Sequence, residues 1–186
     1  MEVPEVVVID YGMGNLLSVQ RGLEHCGAKV YVSADPEIIL SAQKAILPGV
    51  GAFADGMAEL QNRGLDAVVQ KLASREVPLL GICLGMQMLL DESEEFGLTK
   101  GLGLISGRVI PIPATTSNGD PHKIPHIGWN GLNLPSSRES WSGTLLQNIE
   151  TGDAVYFVHS FMAMPSDIAE CLAESYYGGV SVVAAI

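Results

Sequence analysis

The chain has 186 residues, 47% hydrophobic and 17% charged, which suits one globular domain with a real core and excludes a disordered polymer. Its formal net charge of −11 argues against nucleic acid as a partner, because phosphate binding needs a basic face. Cys26, Cys83 and Cys171 lack C-x-x-C spacing and suggest neither a disulfide framework nor a zinc site, no apolar run approaches the ~18–20 residues of a membrane span, and the acidic N-terminus lacks a signal-peptide pattern.

Taken in order, residues 6–9 form a β-branched run that predicts a central strand. Tyr11-Gly12-Met13-Gly14-Asn15 follows as a glycine-rich turn, with Asn15 placed to cap a helix whose Leu16, Val19, Leu23 and Cys26 share one face and whose stop is Gly27. A dinucleotide fingerprint would need a third glycine where Leu17 stands. It would also need an acid after the second strand, where Tyr31-Val32-Ser33 runs into a turn, so no cofactor is expected. Asp35-Pro36 opens a short helix through Leu40, residues 44–47 form the next strand, and Pro48-Gly49-Val50-Gly51 closes it. Phe53, Met57 and Leu60 mark one helical face; Leu65, Val68, Val69 and Leu72 mark another. The alternation predicts an α/β fold, mixed, with a mostly parallel central sheet and flanking helices, whose ligands sit at the carboxyl ends of the strands.

Residues 77–90 organise the rest. Leu79, Leu80 and Ile82 predict a strand buried on both faces, and Met86, Leu89 and Leu90 continue with helical spacing. Between them, Gly81-Ile82-Cys83-Leu84-Gly85 places a glycine two positions either side of a cysteine. This is the spacing of a nucleophile elbow, in which neighbours without a Cβ let a strained strand-to-helix turn close. A helix N-terminus there would help ionise the thiol. A core cysteine in a glycine-loosened turn would give the same spacing.

Beyond Leu90, Asp91 to Glu95 reads as a solvated, acidic helix end, and residues 108–112 as a strand bounded by prolines. Residues 113–125 form a polar loop with a mobile turn cluster at Ser117-Asn118-Gly119-Asp120-Pro121. Residues 127–134, 155–159, 171–177 and 180–186 are strand-like and antiparallel in character, and residues 142–146 suggest a brief helix. With no repeat and no linker, one domain over residues 1–186 is expected. The last apolar run ends without turn or cap, which suggests that the natural protein continues.

A cysteine nucleophile needs a base, an oxyanion hole and a pocket. The backbone N–H of Leu84 and one from the Pro48-to-Gly51 turn can supply the hole. None of His25, His122, His126 and His159 has an acid at H-x-D/E spacing, so each is expected to be structural or a contact residue, and no base is evident.

Gly81-Ile82-Cys83-Leu84-Gly85-Met86-Gln87 resembles the nucleophile motif of class I (triad) glutamine amidotransferases, and Pro48-Gly49-Val50-Gly51 resembles their oxyanion strand. Asp10-Tyr11-Gly12-Met13-Gly14-Asn15-Leu16 and Pro125-His126-Ile127-Gly128-Trp129-Asn130 more narrowly resemble the glutaminase subunits of imidazole glycerol phosphate synthases. The resemblance implies hydrolysis of glutamine through a thioester on Cys83, with the oxyanion held by N–H groups of Val50 and Leu84. It implies glutamine contacts from Gly51, Gln87, Glu95 (on the α-ammonium), His159, Ser160 and Phe161. It also implies a heterodimer with a (β/α)8-barrel cyclase that consumes the ammonia, faced by Tyr11, Asn15, Pro125, His126 and Trp129. The cysteine usage and the lack of a signal-peptide or membrane-span pattern make the cytoplasm the expected setting, and no metal or cofactor is expected. Paralogous subunits of sugar-modifying synthases in surface-polysaccharide assembly, or a non-catalytic docking subunit, are the alternatives. The family's catalytic histidine and glutamate lie in an H-P-E motif that this sequence does not contain, so truncation and an inactive chain are expected.

Overall fold

A computed structural model describes residues 3–186, in two compact units. The first runs to Ser93 and resumes over Gly97–Ile105; the second comprises Glu94–Phe96 and Ser106–Ile186.

In the first unit, β1 (Glu5–Ile9), α1 (Leu16–His25), β2 (Lys29–Ser33), α2 (Pro36–Leu40), β3 (Ala45–Leu47), α3 (Phe53–Asn62), α4 (Leu65–Ser74) and β4 (Leu79–Gly81) alternate as expected. The strands pair in parallel in the order β2-β1-β3-β4. Parallel pairing demands crossovers, and helices supply them. The valines of β1 are buried on both faces. Leu16, Val19 and Leu23 of α1 pack against Val6, Val8 and Ile46, while Ile39, Phe53, Met57, Leu60, Leu65, Val69 and Leu72 bury the inner faces of α2 to α4. Each such side chain contributes about 1.5–3 kcal/mol when fully buried. The caps are those the sequence predicts: Asn15 accepts from the Ser18 N–H, and Asp35 accepts from the Glu37 N–H with Pro36 in the first turn.

Three expectations fail here. Cys26 is exposed at the C-cap of α1 and does not extend its packed face. β4 is not buried on both faces: it lies at the edge of its sheet, and Leu80 and Ile82 are 39% and 37% exposed. The helix expected through Leu90 is the single turn α5 (Leu84–Gln87), after which β5 (Leu90–Ser93) pairs with β6 (Thr99–Lys100). The carbonyls of Met88, Leu89, Leu90 and Asp91 accept from N–H groups of residues 101–105, which takes up the acceptors that a longer helix would use. The acidic block is therefore no helix end: Asp91 to Ser93 lie in β5, with Ser93 fully buried, and Glu94 and Glu95 follow the strand.

The second unit is antiparallel: β7 (Ile105–Pro111), β8 (His126–Gly131), β9 (Ala154–His159), β10 (Phe161–Pro165), β11 (Ala173–Tyr177) and β12 (Val180–Ala185). β7, β10, β12 and β11 are consecutive neighbours, and β8 pairs with β9 in the register His126↔His159 and Trp129↔Tyr156. Leu132, Trp141, Leu146, Phe157 and Ala173 form its core. β10 was not expected, because Phe-Met-Ala-Met-Pro has no β-branched residue; its partners are 50 or more residues earlier in β7. Residues 142–146 are consecutive turns rather than a helix, held by the Thr144 N–H to the Trp141 carbonyl at 3.1 Å. Among the described residues no helix is long and apolar enough to cross a membrane.

Candidate active site

The β4–α5 junction carries the strain that its glycine spacing predicts. Cys83 has φ +55° and ψ −115°, a backbone conformation that a residue with a Cβ occupies only when its surroundings force it. Packing supplies the force. A Cβ on Gly81 would lie 2.6 Å from the Met86 backbone, and a Cβ on Gly85 would overlap the Leu47 carbonyl oxygen. The Ile82 N–H donates to that same Leu47 carbonyl at 2.9 Å, while Gly85 N–H donates back to the Ile82 carbonyl at 2.9 Å. The turn is thus stitched to the end of β3, and Cys83 is left exposed at its apex.

The Pro48-to-Gly51 turn leaves β3 directly beside it. A Cβ on Gly49 would come within 2.8 Å of both Gly85 N and Leu84 Cβ, so only glycine lets the two turns touch. Val50 is half-exposed and Gly51 has φ +104°, facing the Met13 side chain. Gln87 follows within α5, its N–H bonded to the Cys83 carbonyl at 3.1 Å. Cys83, Leu84, Gln87, Val50 and Gly51 are therefore brought together in the first unit.

The electrostatics correct one expectation. Desolvation raises the Cys83 thiol above its ordinary pKa, and the Leu84 N–H, which lowers it, does not compensate. A four-residue helix is too short to override that burial. Though Cys83 reaches solvent, its sulfur is enclosed enough to favour the thiol. Tyr11, at the carboxyl end of β1, is fully buried with its hydroxyl unpartnered, and burial followed by the Cys83 charge pushes its ionisation far upward.

The remaining candidates belong to the second unit. Glu95 sits between Glu94, ion-paired with Arg108 at 3.2 Å, and Phe96, whose ring meets Phe161 edge-on at 6.5 Å. Glu95 is therefore the chain neighbour of a residue that meets Phe161. His159 Nδ1 lies 2.8 Å from the Phe161 carbonyl, and its Nε2 lies 3.0 Å from His126 Nδ1. Burial lowers the His159 pKa, opposed by the Phe161 carbonyl and reinforced by His126. His126 is fully buried, stacked against Tyr177 and Phe157 at 4.1 and 4.6 Å, with Nε2 held 3.0 Å from the Asn130 side chain. Neither ring in this pair is bonded to a carboxylate. Among the described residues no cluster of three or more potential ligands could hold a metal.

A family model for class-I glutamine amidotransferases matches residues 7–186. The chain belongs to that family. Its relatives include imidazole glycerol phosphate synthase subunit HisH 1 of Legionella pneumophila (strain Lens), 49% identical over 181 residues, 97% of this chain and 85% of the relative. Subunit HisH of Geobacillus sp. (strain WCH70) is 50% identical over 172 residues, 91% of this chain and 78% of the relative. A solved glutamine amidotransferase superposes with a TM-score of 0.67 at 16% identity over 97% of this chain and 89% of its own. PurLQS from Thermotoga maritima gives 0.66 at 17% identity over 96% and 78%. At such identities the two structures speak for the amidotransferase fold.

Within this amidotransferase, two partner-facing expectations change. The side chains of Tyr11 and His126 are fully buried and are not available to a second protein. Trp129 is 71% exposed, Asn15 is exposed but committed to capping α1, and Pro125 is partly exposed. Sequence reasoning missed Asn130 as the holder of His126 and Tyr11 as a residue of the elbow. The position of Tyr11 just past the carboxyl end of a central strand was the available signal for the second.

Proposed function

We propose that this chain is the glutaminase subunit of an imidazole glycerol phosphate synthase, hydrolysing glutamine to glutamate and passing ammonia to a cyclase partner in histidine biosynthesis. The observation that carries the reading is Cys83 held at φ +55° between Gly81 and Gly85, with the Gly49 turn packed on the elbow. As a thiolate, Cys83 attacks the side-chain amide carbon of glutamine, and the N–H groups of Leu84 and Val50 hold the oxyanion. Collapse expels the amide nitrogen, which takes up the proton that the thiol released and leaves as ammonia. Water then hydrolyses the thioester to glutamate and restores the thiol. In the first unit Gly51 and Gln87 match family positions that contact glutamine; in the second, Glu95 matches the family position that meets its α-ammonium, and His159, Ser160 and Phe161 match a family segment that contacts it. His126 and His159 are not assigned the proton transfer, because their ring nitrogens are engaged with each other, Asn130 and the Phe161 carbonyl.

The partner reading draws on the β8–β9 pair. Ile127, Trp129, Tyr156 and Val158 occupy cross-paired positions of one face and are 53–71% exposed. An exposed apolar group of this kind suits a permanent protein partner, and we assign it, with Pro125, to a cytoplasmic (β/α)8-barrel cyclase. The test uses the assembled synthase. Cys83→Ser should abolish glutamine-dependent synthesis and leave synthesis from free ammonium intact; undiminished turnover of glutamine would refute the assignment.

A further inference from the structure

The ring of His126 is fully buried in the second unit, yet both of its nitrogens meet polar atoms: Nδ1 lies 3.0 Å from His159 Nε2, and Nε2 lies 3.0 Å from Asn130 Oδ1. His159 continues the line, its Nδ1 standing 2.8 Å from the Phe161 carbonyl oxygen. Three links need three hydrogens, and two neutral imidazoles carry one each. A third ring hydrogen would make the pair a cation. Burial opposes that, and among the described residues neither ring is bonded to a carboxylate that would offset it. The ends of the line then decide where the two hydrogens sit. The Phe161 carbonyl can only accept, so His159 carries its hydrogen on Nδ1. Its Nε2 is bare and must receive one, which puts the hydrogen of His126 on Nδ1. His126 Nε2 is left bare, and Asn130 can supply it once the oxygen and nitrogen of its amide exchange places. That exchange gives up the bond from Asn130 Nδ2 to the Tyr176 carbonyl, which at 3.2 Å is the longest of these links and is exposed, so water can replace it.

We propose that His126 is a positioning residue for the His159-Ser160-Phe161 segment: it donates from Nδ1 to His159 Nε2, holds that ring in the form that binds the Phe161 carbonyl, and so sets the corner between β9 and β10. This rests on the segment contacting glutamine. The Ser160 carbonyl of the same corner already accepts from the Ile112 N–H at 2.9 Å, so the Phe161 carbonyl is the one that His159 fixes. An apolar side chain could fill the space between Phe157 and Tyr177 that the His126 ring occupies. It would leave His159 without its donor. That ring could then move its hydrogen to Nε2 and turn a bare Nδ1 toward the Phe161 oxygen, and the two lone pairs would push the corner apart. The disturbance falls on a glutamine contact in the second unit, whereas the nucleophile Cys83 belongs to the first, so it is read in KM and not in kcat.

Two measurements test this. Nitrogen-15 NMR of the whole chain with labelled histidine, at pH 8, reads which ring nitrogens carry hydrogen. His126 and His159 should both be protonated on Nδ1 and bare on Nε2, the minor form of a free imidazole. Hydrogen on Nε2 of either ring overturns the proposal. In the assembled synthase, two variants then separate donation from packing. His126→Asn keeps an amide N–H near the place of Nδ1, while His126→Leu fills space and donates nothing. The KM for glutamine should rise about tenfold in His126→Leu and about twofold or less in His126→Asn, with kcat and synthesis from free ammonium unchanged in both. A packing role gives the reverse order, with His126→Leu near the parent and His126→Asn impaired, and that order overturns the proposal. Equal KM in the two variants does so as well. Where neither variant folds, the spectrum of the parent decides. That spectrum needs no glutamine turnover, so the wrong tautomers would leave Cys83 as the glutamine nucleophile. A Cys83→Ser synthase that still used glutamine would instead sink that reading and leave the tautomers as they are.

Discussion

The two units build their candidate sites by different means. Around Cys83 the geometry is local: one five-residue turn, two glycines and the end of β3 fix the nucleophile in a strained conformation. Around His126 it is long-range, since the ring is held by His159, 33 residues away, and by Asn130, whose amide donates to the Tyr176 carbonyl 46 residues further on. A strained turn has no room to relax, and one added methyl should break it. A stacked buried ring is held by several partners, and its loss should be costly but survivable.

The sharpest way to break this comparison is Gly85→Ala. Its methyl would overlap the Leu47 carbonyl, and its nearest neighbours are all Leu47–Pro48 backbone, with no flexible side chain to yield. Chemical denaturation should show a loss on the order of 4 kcal/mol or more, or no folded protein at all. A loss under about 1 kcal/mol would show that the two turns are not packed as described. His126→Ala comes next. It removes a fully buried ring and leaves Asn130 and His159 short of a partner, so about 2–4 kcal/mol should be lost while the chain still folds.

How far the sequence revealed these sites follows the same division. The elbow, the caps at Asn15 and Asp35 and the helical faces of α3 and α4 were legible because each is written within a few consecutive residues. The end of the elbow helix was not, because residues 101–105 take the carbonyls of residues 88–91 from outside the local window. β10 was missed for a related reason: its composition carries no strand signal, and its pairing with β7 supplies the structure. His126 looked like a surface contact in Pro-His-Ile-Gly-Trp-Asn. Its burial depends on Phe157, His159 and Tyr177, which no spacing in that motif announces.

A smaller effect should appear with pH. Burial depresses the His159 pKa below its ordinary 6.5, so the unfolded chain binds this proton more readily than the folded one. The stability of the neutral ring is fully present above pH 6.5 and is lost as pH falls through the lowered folded value. Urea midpoints between pH 8 and pH 5 should therefore decline more steeply in the parent than in His159→Asn. Parallel slopes would mean that His159 is not the titrating group. The smallest effect should come from Gly22→Ala, in α1, where an added Cβ meets nothing within 4 Å. It should raise stability by about 0.5–1 kcal/mol, in contrast to the same methyl at Gly85.

The central claim is that one cysteine of three is built to attack glutamine. Cys26 is an exposed helix cap and Cys171 is buried, whereas Cys83 alone stands on a strained turn beside the Gly49 loop. Incubation with a chloroketone analogue of glutamine, followed by peptide mass spectrometry, reads that distinction directly. The account predicts label on Cys83, suppressed by excess glutamine, with Cys26 and Cys171 unmodified. Label on Cys26 with Cys83 untouched, or labelling of Cys83 that glutamine does not suppress, would contradict it.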